Sequence, residues 1–201
     1  MISFESLAKQ LGDSNVLEQL GNAIGAKPEQ VEKAEALALP TLMEALNRNT
    51  NSKKGAEALS EALEQHVGED VDDVAKYLKN VDTKDGEKIL GHVFGDKSDQ
   101  VAKGIAKKSG LDVKQIGGLL VQFAPLILSF LGNKKKEENL DSDGVSGLTG
   151  ALSGLFGGGS GGSSGGSTGG NLLSMAGSLL DGKDDGDGGG GLLGSLGGLF
   201  K

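Results

Sequence analysis

The sequence predicts an all-α body followed by a low-complexity tail. Three observations lead there. Apolar residues through 1–131 recur at three- and four-residue spacing, the period of helices that bury one face. Glycines and short polar residues punctuate those runs where helices stop and start. No run alternates β-branched residues and aromatics are only 3% of the chain, so the core must be built from Leu, Ala, Val and Ile.

In chain order the runs predict about eight helices, near 3–11, 15–24, 28–46, 53–66, 71–79, 85–94, 99–109 and 113–131. Ser14, Asp70, Ser98 and Asp112 stand where a side-chain oxygen can accept an orphan backbone N–H at a helix start. Asp112 with Gln115 three residues on forms a capping-box pair. Pro28 suits a first turn, where its missing N–H costs nothing. Gly12, Gly25, Gly95, Gly110 and Gly132 sit where helices should end. Pro40 and Pro125 fall late in their runs, and each removes a helical hydrogen bond and should kink the rod.

Glycine divides the chain. Of 36 glycines, 13 fall in residues 1–139 and 23 in residues 140–201. Residues 1–139 are long enough for one globular body. Residues 140–201 cannot bury enough side chain to offset the entropy of ordering a second one. The chain carries 20 basic and 28 acidic residues, a net charge of −8. Body and tail are each net acidic, and Arg48 is the single arginine. Such a chain repels phosphate backbones, so no nucleic-acid partner is expected. The absence of cysteine removes disulfides, thiol chemistry and Cys-ligated zinc from consideration. Met1–Ser6 has neither a basic nor an apolar leader region, and with the lack of cysteine this gives a cytoplasmic expectation.

A shift of 85 residues superposes Val16 on Val101, Gly25 on Gly110, Gln30 on Gln115, Val31 on Ile116, Pro40 on Pro125 and Leu46 on Leu131. A shift of 89 aligns Gly55, Leu59, Ala62 and Leu63 with Gly144, Leu148, Ala151 and Leu152. Paired Gly, Gln and Pro at one offset predict two divergent tandem repeats. Each contains a helix–turn–helix spacing, Gly21–Gly25–Val31 and Ala106–Gly110–Ile116. The outward positions of the second helices, such as Lys27, Glu29, Lys33, Asp112, Lys114 and Gly117, offer no side-chain fork for a base edge.

Ile116 to Leu131 is sixteen residues without a charge, followed by Lys134–Lys136. Sixteen helical residues span about 24 Å, short of a bilayer core of ~30 Å. The aligned stretch Val31 to Leu46 carries Glu32, Lys33, Glu35 and Glu44, the pattern of an ordinary amphipathic helix. A buried core helix is the leading expectation, with a subunit interface or peripheral membrane contact as alternatives.

The stretch Asp85–Gly95 (DGEKILGHVFG), Val101-Ala102, Lys108–Leu111 and the run from Leu119 to Leu126 resemble a bacterial family named domain of unknown function 937. The likeness continues upstream through Ala62–His66 and Asp72-Asp73, and so covers most of 1–132. It implies bacterial origin and an all-α body. Relatives of the family include YidB-like proteins with a small helical, homeodomain-like fold. The resemblance implies no reaction.

Chemistry-bearing residues are sparse. His66 has Glu64, Glu69 and Asp70 nearby in sequence, and His92 has Asp85, Glu87 and Asp96. The two could meet if the repeats pack together, but no metal-ligand spacing is present. Gly157–Gly161 lacks the Lys-Ser/Thr of a phosphate loop. The run Asp181–Asp187 lacks a calcium loop's closing Glu and has Lys183 at a ligand position. No catalytic residue, metal or cofactor is expected, and the chain reads as a non-enzyme.

The tail carries three apolar stripes. They are Leu148, Leu152, Leu155 and Phe156; Leu172, Leu173, Ala176, Leu179 and Leu180; and Leu192, Leu193, Leu196, Leu199 and Phe200. The offsets 0, 1, 4, 7 and 8 would line one face of a nine-residue helix. Residues 157–170, only Gly, Ser and Thr, and residues 181–191 are tethers. Helices so short and glycine-rich need a surface to lie on. Three surfaces are open: the chain's own body, a second copy or partner, and a membrane. The resulting expectation is a non-enzymatic interaction or assembly protein that binds partners or itself through apolar helix faces and these stripes.

Overall fold

The computed structural model describes residues 3–157 and 176–181, the side chains of 155–157 excepted. All regular structure among the described residues is helical. Nine α-helices follow in order: α1 (Phe4–Leu11), α2 (Ser14–Ile24), α3 (Pro28–Thr50), α4 (Lys53–Gln65), α5 (Val74–Lys79), α6 (Thr83–Phe94), α7 (Ser98–Ser109), α8 (Val113–Glu138) and α9 (Ser142–Gly157). A 3-10 turn, Gly95–Lys97, joins α6 to α7. Residues 176–181 form one more short helical segment.

Local chemistry sets the helix ends. Asp112 accepts from the Gln115 amide at 2.7 Å while Gln115 Oε1 accepts from the Asp112 amide at 2.9 Å, a complete capping box. Pro28 opens α3, and Gly12, Gly25, Gly95 and Gly110 close α1, α2, α6 and α7. Gly25 (φ 70°) and Gly110 (φ 78°) take the left-handed conformation that a side chain disfavours.

Four punctuation residues act otherwise than expected. Asp13, not Ser14, caps α2, because its carboxylate accepts from the Asn15 amide. Asp73, not Asp70, caps α5 through the Lys76 amide, so that helix begins three residues late. Ser98 lies inside α7 and gives it no side-chain cap. Gly132 does not end α8, which runs on to Glu138. A Cβ there would stand 2.6 Å from the Leu63 carbonyl, so this glycine lets α4 approach.

Pro40 and Pro125 stand in mid-helix rather than late, because α3 and α8 are longer than their apolar cores. These two helices form the centre. α3 is covered by α2, α4, α7 and α9, and α8 by α4, α6 and α7. Leu42, Met43, Leu46, Ile116, Leu119, Phe123, Leu126 and Leu131 are sealed from solvent. α8 is long and apolar enough to cross a membrane by length and composition, but 78% of its most apolar window is buried inside the protein. Its 26 residues span about 39 Å, more than the sixteen-residue uncharged stretch alone.

Two reciprocal hydrogen bonds join the halves of the chain. Gln30 Nε2 donates to the Gly110 carbonyl at 3.2 Å, and Gln115 Nε2 donates to the Gly25 carbonyl at 2.8 Å. Each glutamine fastens the N-terminus of its own long helix to the glycine turn of the other half. The N-termini of α4 and α9 also match: Ser52 Oγ accepts from the Gly55 amide, and Asp141 Oδ1 accepts from the Gly144 amide.

Candidate interaction site

The last turns of α3 carry Glu44, Asn47, Arg48 and Thr50, with Arg48 one turn after Glu44 and Thr50 one turn after Asn47. The chain's single arginine stands at the centre. Arg48 Nε donates to Glu44 Oε1 at 2.8 Å, and Arg48 Nη1 donates to Asp181 Oδ1 at 2.6 Å. The other oxygen of Glu44 accepts from the Ser153 hydroxyl of α9 at 2.8 Å. Beside it the Thr50 and Thr149 hydroxyls lie 3.2 Å apart, buried between α3 and α9. One flank of α3 therefore holds two segments from beyond residue 139. The hydrogen bonds to Asp181 and then Glu44 raise the guanidinium's pKa further, so it is a fixed charge.

α7 supplies the second wall. Gln100 Nε2 donates to the Leu179 carbonyl at 3.2 Å. Gly104 lies directly under Leu179, whose side chain fills the space where a Cβ would project. Ala176, Leu179 and Leu180 are buried, at 1%, 8% and 4% exposure. Burying two leucines and an alanine contributes about 5 kcal/mol. The partly exposed Arg48–Asp181 pair adds at most ~1 kcal/mol. Fixing the backbone of six residues costs about 6–12 kcal/mol and so offsets all of this gain, which leaves single contacts to decide whether the seat is filled.

The stripe residues fall into three groups. Leu148 and Leu152, expected to bind partners, lie in α9 and pack on the core, Leu148 partly and Leu152 fully buried. Leu179 and Leu180 of the second stripe occupy the α3/α7 seat. The side chains of Leu155 and Phe156, and all of Leu172, Leu173, Leu192, Leu193, Leu196, Leu199 and Phe200, lie outside the described residues. Asp181, weighed as a calcium ligand, is on Arg48 instead.

The two histidines have different partners. His66 is buried, with Nδ1 3.3 Å from Glu69 and Nε2 3.4 Å from Asp85. His92 is exposed, with Nδ1 2.8 Å from the Lys88 carbonyl one turn back. Asp85, grouped with His92 in sequence, belongs spatially to His66. A cavity of about 320 Å³ opens beside it, lined by His66, Glu69, Lys76, Tyr77, Asp82 and Asp85. Burial alone would raise Glu69, but hydrogen bonds from Ser129, Tyr77 and His66 outweigh it and hold the carboxyl below its usual range. Tyr77 donates to Glu69 at 2.7 Å, and burial and that neighbour raise the phenol. Asn133 of α8 closes the network from below, donating to the Glu69 carbonyl and accepting from the Gly68 amide. These partners tie the α4–α5 connection to α8. Among the described residues no group of three or more His, Asp or Glu is placed to hold a metal ion.

Sequence spacing could not reveal the Arg48–Asp181 pair, which joins residues 133 apart. One signal was available: a lone arginine in an acidic chain, one turn after a glutamate on the same helix face.

A family model described as bacterial protein of unknown function (DUF937) matches residues 5–134. No curated protein and no solved structure matches the chain.

Proposed function

The chain belongs to that bacterial family of unknown function, and from this premise we propose that it is a non-enzymatic interaction protein. Its body offers seats for short amphipathic helices, and its own tail fills them. The observation that carries this reading is Arg48 on α3, which holds α9 through Glu44 and residues 176–181 through Asp181. The seat selects by three features together. Gly104 admits a leucine, Gln100 holds a backbone carbonyl, and Arg48 requires an acid after a Leu-Leu pair.

The repeat reading fits the same picture. It is supported by the exchanged Gln30 and Gln115 bonds and by the matching caps of α4 and α9. A further parallel favours it. Gln19 of α2 donates to the Ala75 carbonyl of α5, and Gln100 of α7 to the Leu179 carbonyl, a parallel between helices and not between equivalent residues, since the shift of 85 lays Gln19 on Gly104. Residues 176–181 then stand to the second half as α5 stands to the first, with a glycine-rich stretch inserted before them.

Assembly of copies through this seat is disfavoured at low concentration. Only 18 residues, 158–175, separate α9 from residue 176; a connection of that length gives an effective local concentration on the order of millimolar, so the chain's own segment outcompetes a neighbour's at micromolar protein. The test is a fluorescent peptide of residues 171–181, titrated into the full chain and into a full-length variant with Leu179→Ser, Leu180→Ser and Asp181→Ser. The peptide should bind the variant at least ten-fold more tightly than the parent, whose seat is already filled. Equal binding, or none to the variant, would refute the seat.

A further inference from the structure

A second apolar groove is lined by the first half of α8, by α6, by the ends of α2 and α5 and by the start of α7. Its volume is about 800 Å³, within the range of sites that bury a ligand. Ile24, Leu78, Leu90, Val121, Gly117 and Gly118 line it. Among the described residues nothing outside their own helices lies within 4 Å of a Cβ built on Gly91 or Gly117. We infer that the third stripe of the same chain, Leu192 to Phe200, docks in this groove.

Three observations select that occupant. First, the stripe matches segments already seated yet is unsuited to their seats. A shift of 20 lays Leu192, Leu193, Leu196, Leu199 and Phe200 on Leu172, Leu173, Ala176, Leu179 and Leu180, but puts Lys201 on Asp181, where it would face Arg48. A shift of 44 lays GLLGSLGGLF (191–200) on GLTGALSGLF (147–156), but replaces Thr149 and Ser153, whose hydroxyls meet Thr50 and Glu44, by Leu193 and Gly197. Apolar matching with polar mismatch sends the segment to a third, less polar surface.

Second, the chain reaches. Leu179, two residues before Asp181, is held by Gln100, and Ser98 at the groove's rim is two residues before Gln100 in α7. On the other flank Asn49, next to Arg48, donates to the Val93 carbonyl, two residues beyond Gly91. A ten-residue tether, 182–191, spans roughly 17 Å r.m.s. and at most about 35 Å, enough to enter from that rim. Third, charge favours the approach. The tether carries Asp184, Asp185 and Asp187 against Lys183, while the rim carries Lys79 and Lys114 against Glu87.

The inference does not depend on the Arg48 seat being exchangeable, and its test reads a different surface. The chain has no cysteine, so cysteines can be placed freely. Full-length protein with Gly117→Cys and Ser195→Cys is oxidised at low micromolar concentration, beside a control pair of Gly12→Cys and Ser195→Cys. The groove pair should close within one chain at least ten-fold faster than the control, and Leu199→Ser with Phe200→Ser should bring it to the control rate. Equal rates for the two pairs would overturn the inference. Crosslinking mainly to covalent dimers would overturn it in favour of a second copy as occupant. Closure unaffected by the Leu199 and Phe200 changes would overturn it by showing that apolar docking is not the cause.

Discussion

Glu35 offers the sharpest quantitative prediction. It sits on α3 between Ala34 and Leu37, 8% exposed, and its Oε2 has no hydrogen-bond partner among the described residues. Burial, and then the charge of Glu32, raise its pKa from 4.5 to about 7. The native state therefore holds this proton to higher pH than the unfolded chain. Between about pH 4.5 and 7 the unfolded state binds fewer protons, so stability falls as pH rises. The slope is about 1.4 kcal/mol per unit, and the full loss is about 3 kcal/mol above pH 7. Glu35→Gln removes the charge and keeps the shape. Urea denaturation should find the variant more stable than the parent by about 2–3 kcal/mol at pH 8, and within about 0.5 kcal/mol of it at pH 4.5. Comparing the two proteins at each pH cancels the titration of distant carboxylates. A difference that does not change with pH would refute the reasoning, because it would mean that Glu35 ionises alike folded and unfolded.

Four further outcomes are expected. Gly104→Leu should fill the space of Leu179 and expel residues 176–181, seen as loss of amide-exchange protection there, while helix propensity raises the stability of the body by about 0.5–1 kcal/mol. Gln30→Ala and Gln115→Ala should each cost about 1 kcal/mol by thermal unfolding, since each leaves a turn carbonyl of the other half without its donor. Gly132→Val should cost about 1–3 kcal/mol by the same assay, because its side chain meets the Leu63 carbonyl. Glu69→Gln should cost about 1 kcal/mol at pH 7, measured by urea denaturation. Because the folded pKa of Glu69 is lowered, its contribution is present above the unfolded value and is lost as pH falls through the folded one.

Helices and their glycine stops were legible because their signals are local. The Asp112–Gln115 pair and the turns at Gly25 and Gly110 stand where the sequence put them. The misassigned starts come from crowding of equivalent groups. Asp13 precedes Ser14, and Asp70, Asp72 and Asp73 compete at α5, so propensity alone cannot pick the oxygen that meets an amide. Gly132 was misread because a glycine that ends a helix and one that admits a neighbour look alike in sequence. The His66–Asp85 contact and the Arg48–Asp181 pair were invisible because nothing periodic links their partners. The second tail stripe was visible as a pattern, but where residues 176–181 dock depends on Gly104, Gln100 and Arg48 converging from two helices, which only the folded chain supplies.

The central claim is that residues 176–181 sit on the α3/α7 seat of their own chain. A nitroxide on Lys107→Cys, one turn from Gly104, tests it directly. Isotope-labelled full-length protein carrying the nitroxide should show strong broadening of the amides of 176–181, kept on ten-fold dilution with unlabelled, spin-free protein and abolished by Asp181→Lys. Amides of 176–181 that are unbroadened, or broadened only when a second, spin-labelled copy is present, would contradict it.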